Sequence, residues 1–89
     1  MIKISTTISN RLGLHARASA KLTKLAGSFP CEVWMSRAGR RVNAKSIMGV
    51  MMLAAGIGAT VEIETIGERE QEASDALRAL IDDKFGEGE

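Results

Sequence analysis

Cysteine is almost absent from this chain. The single Cys31 rules out an internal disulfide and fits a reducing, cytoplasmic setting. Tyrosine is missing, and one Trp and two Phe are too few rings for a base-stacking platform. Neither charge sign dominates. Twelve Lys and Arg against eleven Asp and Glu leave a net charge of +1. That balance argues against a nucleic-acid-binding domain held by a broad basic field. The longest run without polar or charged side chains, residues 49–59, falls well short of the about 20 residues a bilayer span needs. No basic-then-apolar start reads as a signal peptide, so no membrane insertion is expected. There is one histidine, His15, with no second His and no Cys near it, which leaves a metal site without ligands. No strained serine motif is present, and 89 residues leave little room for a hydrolase pocket. Nothing calls for a cofactor.

The remaining pattern is that of one small α+β domain covering residues 1–89. Residues 2–8 alternate, with Ile2, Ile4, Thr6 and Ile8 on one face, as in a half-buried strand. A turn at residues 10–13 leads into a helix from Ala16. Its apolar stripe is Ala18, Leu22, Leu25 and Phe29, and Gly27 and Pro30 stop it. Residues 31–35 and 41–43 read as a hairpin around residues 37–40. Cys31 falls on its packing face and Trp34 on the other. Ser46 then precedes a short helix whose inward stripe is Ile47, Val50, Met51 and Ala54. Residues 60–65 alternate as a fourth strand. Residues 70–85 form the clearest helix, with Ala73, Ala76, Leu77, Leu80 and Ile81 facing inward. Residues 85–89 are expected to form a flexible tail. The order βαββαβα predicts an open-faced two-layer sandwich, a four-stranded antiparallel sheet with three helices on one face.

His15 falls at the N-cap of the first long helix, where Ser, Thr, Asp or Asn would normally satisfy the first amides. Free N–H groups at the positive end of a helix form an anion site. The backbone of Ala16 and Arg17 would supply that cradle. The Arg17 guanidinium adds donors suited to phosphate oxygens. A neutral imidazole nitrogen is a nucleophile toward phosphorus. His15 is therefore a candidate phosphoryl acceptor; the alternative is an ordinary solvated histidine at a helix start. Ser46 is expected to cap its helix, and a phosphate added there would be tolerated by the helix dipole. Met48 and Met52 lie off the inward stripe. If exposed, they could join Arg17, Ala20, Lys24 and Gly27 in a patch that adapts to partners.

Two segments carry a resemblance. Gly13-Leu14-His15-Ala16-Arg17 resembles the active-site motif of the HPr phosphocarrier family of the bacterial phosphotransferase system. Residues 44–51, Ala-Lys-Ser-Ile-Met-Gly-Val-Met, resemble that family's regulatory serine motif, and the spacing between His15 and Ser46 also matches. The resemblance covers essentially the whole chain. It implies that His15 accepts a phosphoryl group on Nδ1 from phospho-enzyme I, with Arg17 assisting. His15 would then pass it to a IIA component of a sugar permease or regulatory branch. It further implies that Ser46 is modified by an HPr kinase/phosphorylase. The docking patch would include Ala20, Lys24, Gly27, Ile47, Met48, Met51 and Met52. A monomer suffices for this relay, which has no independent turnover. A regulatory module of the same fold, working through phospho-Ser46, is the alternative. One position departs from the family: Ala18 stands where proline is usual, which frees one more amide at the helix start.

Overall fold

Alternating residues at the N-terminus form an outer strand because one of their faces can be buried against helices. In the computed structural model, which describes residues 1–89, β1 spans Ile2–Thr7, α1 Ala16–Gly27, β2 Glu32–Arg37 and β3 Arg40–Asn43. They are followed by α2 at Ile47–Met52, β4 at Thr60–Ile66 and α3 at Glu70–Asp82. The strands form one antiparallel sheet in the order β1-β4-β2-β3. Ile4 and Met35 both lie opposite Ile63, which sets the inward face of the three longer strands. The three helices cover that face, as the sequence predicts.

Nineteen buried apolar residues form a single core, among them Ile8, Leu22, Val33, Met35, Val50, Ile63, Leu77, Ile81 and Phe85. Cys31 belongs to it, as expected. The other sheet face is polar. There the Arg41 guanidinium lies 4.1 Å from the centre of the Trp34 ring and donates from Nε to Glu64 at 3.4 Å. This stacking gives Trp34 its partner on the solvent side. The hairpin between β2 and β3 turns on Ala38 and Gly39, both with positive φ, the geometry that matches strand twist.

Two expectations need correction. The inward stripe of α2 reduces to Val50, because Ile47 and Met51 are exposed and Ala54 lies beyond the helix with φ of +51°. A helix of six residues is too short to bury two turns of stripe, and Leu53, its C-cap, fills the core place instead. The second correction concerns the C-terminus. α3 ends at Asp82, and Lys84–Gly86 make a single 3-10 turn in which Lys84 and Phe85 both have φ of +55°. Phe85 is only 1% exposed. Burying such a ring contributes about 2 kcal/mol, comparable to the roughly 1–2 kcal/mol cost of one left-handed residue. The Lys21 ammonium also donates to the Phe85 carbonyl at 2.6 Å. Residues 85–89 therefore pack against the start of α1 rather than trailing from the end of α3.

Candidate functional site at the start of the first helix

The site is built from a turn that cannot relax. Asn10 is fully buried, and its side-chain amide donates to the Gly13 carbonyl at 2.8 Å. Gly13 has φ of +64°, and a Cβ on it would stand 2.5 Å from the Ala55 carbonyl oxygen. Only glycine fits this place. Leu14 N–H then donates to that same carbonyl at 2.9 Å. The chain enters α1 through His15, the N-cap, in extended conformation with φ of −73° and ψ of 177°. His15 makes no side-chain cap, and no acidic residue occupies the first turn. Ala16 and Arg17 are exposed, and their amides make no hydrogen bond within the chain. Amides left bare at the positive end of a helix attract an anion.

The imidazole is held from one side. His15 Nε2 lies 2.5 Å from Glu87 Oε2, and the Asn10 amide reaches Glu87 Oε1 at 3.0 Å. Nδ1 makes no hydrogen bond within the chain. The Glu87 carboxyl is held below the usual glutamate range, first by the Asn10 amide and then by His15. Around the ring lies an open cleft of about 640 Å³. Arg11, Arg17 and Lys21 supply its positive charge, and Glu87 and Glu89 its negative charge. The arrangement offers a nucleophilic nitrogen, bare amides and guanidinium donors around one open space. That suits brief custody of a tetrahedral anion.

The family match completes the picture. A family model described as PTS HPr component phosphorylation site matches residues 2–83. The chain belongs to the HPr family. It is 71% identical to the phosphocarrier protein HPr of Cupriavidus necator over the full length of both chains. It is 56% identical, again over both full lengths, to the phosphocarrier protein HPr of Neisseria meningitidis serogroup B. Among solved structures, HPr-C-His from Thermoanaerobacter tengcongensis superposes with a TM-score of 0.95, at 41% identity and 98% coverage of each chain. The phosphocarrier family of the phosphotransferase system named from two short motifs is thus the family of the whole chain.

The structure gathers His15, Ala16 and Arg17 at one cleft, as the sequence suggests. Ser46 lies apart, at the N-cap of α2, where its hydroxyl accepts from Gly49 N–H at 3.2 Å. Ala20, Lys24 and Gly27 are exposed on α1, and Ile47, Met48, Met51 and Met52 on the neighbouring α2. Met48 is 68% exposed, the most open of these methionines. Leu12 and Ile57 are also exposed apolar side chains that periodicity did not single out. Sequence reasoning missed Asn10, Lys21 and Glu87. Asn10 carried a signal as an Asn in a turn before glycine. Glu87 carried none, since it depends on Phe85 turning the chain back.

Proposed function

We propose that this HPr-family chain is a covalent phosphoryl relay. His15 Nδ1 takes the group from phospho-enzyme I and hands it to a IIA component. The observation that supports this most is the division of labour on the ring. Nε2 is occupied by Glu87, while Nδ1 makes no hydrogen bond within the chain and the amides of Ala16 and Arg17, the next two residues, are unbonded. Those amides and Arg17 would hold the phosphoryl oxygens without supplying a water to hydrolyse the bond. The relay is a cytoplasmic one that needs no second copy of the chain. Exposed apolar residues of α1 and α2 dock both partners, and flexible methionines suit two different surfaces.

Ser46 acts as the regulatory position. It is exposed at a helix start, where a phosphate from an HPr kinase/phosphorylase keeps a favourable dipole. The added charge sits next to Ile47 and Met48 and weakens docking to an acidic partner. The uncapped helix start at His15, with the Arg17 guanidinium on the same cleft, favours the relay over a role for Ser46 alone.

The test is incubation with phosphoenolpyruvate and enzyme I, followed by mass mapping. The expected product is an acid-labile, base-stable phosphoprotein labelled at His15, with no label on a folded His15→Ala variant. An unmodified parent chain, or a labelled variant, contradicts the proposal.

A further inference from the structure

We infer that Glu87 is a positioning residue for His15: its carboxylate holds the Nε2 proton and leaves the Nδ1 lone pair aimed at the incoming phosphorus. This deepens the relay reading and rests on it. The contact is not a casual surface pair. The Glu87 side chain is 14% exposed, and both its oxygens are engaged, Oε2 by His15 and Oε1 by Asn10. Asn10 is fully buried and donates to two acceptors at once, Gly13 O and Glu87 Oε1. Its own Oδ1 is left without a partner. A buried amide that leaves an oxygen unsatisfied to serve those acceptors fixes the carboxylate on the loop that sets His15.

The backbone on either side of Glu87 is tied as well. Upstream, Phe85 is buried and its carbonyl accepts from Lys21. Downstream, Arg11 N–H donates to a main-chain oxygen of Glu89 at 2.8 Å. The charged residues lining the cleft with His15 are Arg11, Arg17, Lys21, Glu87 and Glu89. Among them only the Glu87 carboxylate bonds the imidazole.

The consequence follows from electron bookkeeping. The Nδ1 lone pair forms the bond to phosphorus. The bond from phosphorus to the donor atom breaks, and its electron pair leaves with the donor. The His15 ring keeps its proton on Nε2 and becomes cationic. A carboxylate already at Nε2 neutralises that charge as it develops and needs no reorganisation. On return transfer to a IIA acceptor the same contact lets the ring revert to neutral without moving a proton.

The experiment compares the parent chain with Glu87→Ala and Glu87→Gln by ring-proton NMR and by the kinetics of phosphoryl uptake from phospho-enzyme I. In the parent, the Nε2 proton of His15 gives a downfield, slowly exchanging signal. Glu87→Ala loses that signal. It also lowers the maximal uptake rate roughly tenfold, while the enzyme I concentration for half-maximal rate stays the same. Glu87→Gln keeps the shape and an acceptor, so it retains the signal at a less downfield position with a smaller loss of rate. A signal or a maximal rate unchanged in Glu87→Ala overturns the inference. So does a loss confined to half-saturation, which belongs to docking. A parent that takes up no phosphoryl group refutes the relay reading, and the NMR comparison still judges the Glu87 contact.

Discussion

Two helices of this molecule start from N-caps of different chemistry and meet the same problem in different ways. At α2 the N-cap is Ser46, whose hydroxyl accepts from Gly49 N–H, the third amide of that helix, while the amides of Ile47 and Met48 stay unpaired. At α1 the N-cap is His15, which caps nothing, so the Ala18 amide stays unpaired along with those of Ala16 and Arg17. A third amide held by a serine hydroxyl is a structural feature that modification can alter. Three open amides beside a histidine and a guanidinium suit an anion. The difference lies in side-chain chemistry at one equivalent position, since both caps have extended backbone.

Changes at four positions break or sharpen that contrast. The largest effect is expected from Phe85→Ala, which empties a core place and frees the segment that brings Glu87 to His15. Urea unfolding should show a loss of about 3–5 kcal/mol. The Ser46 cap should be unaffected, as judged by unchanged amide exchange at Gly49. Gly13→Ala comes next. It forces a left-handed alanine against the Ala55 carbonyl and should cost about 2–3 kcal/mol in the same measurement. It disturbs the loop to His15 and leaves α2 alone.

Ser46→Ala should cost about 1 kcal/mol, the ordinary value of a lost cap, with uptake at His15 unchanged. Ser46→Asp keeps a cap and adds charge, so it should hold stability and slow uptake at His15. Equal uptake rates in Ser46→Asp and parent would remove the proposed cross-talk.

The smallest effect is on acid stability. Glu87 has its carboxyl lowered in the folded chain. Its contribution is therefore complete above the unfolded glutamate value of about 4.3 and is lost as pH falls through the lower folded value. Glu70 and Glu72 add to the same acid limb: Glu70 through the N-terminal ammonium and Gly67 N–H, Glu72 through Arg69. Glu87→Gln should flatten this limb in urea unfolding measured from pH 7 to pH 3. A limb as steep as the parent's would show that the contact does not persist in solution.

Much of this was legible in the sequence for a physical reason. Strand alternation and helix stripes report which face is buried, and residues 2–8, 16–29 and 60–65 carry them cleanly. His15 at an uncapped helix start is likewise a local signal. Where the reading failed, the deciding interaction was distant. Ile47 and Met51 fit an inward stripe, yet α2 is too short to bury it. Residues 85–89 look like a tail because nothing nearby shows that Phe85 has a core place between α1 and α3. Glu87 reaches His15 only because of that return, across 72 residues of sequence.

The most direct measurement is one-bond phosphorus–nitrogen coupling in the ¹⁵N-labelled, phosphorylated protein, read together with its amide spectrum. The account predicts phosphorus on His15 Nδ1. It also predicts downfield shifts of the Ala16 and Arg17 amides and no change at Gly49. Phosphorus on Nε2, or Ala16 and Arg17 amides that stay where they were, would contradict it.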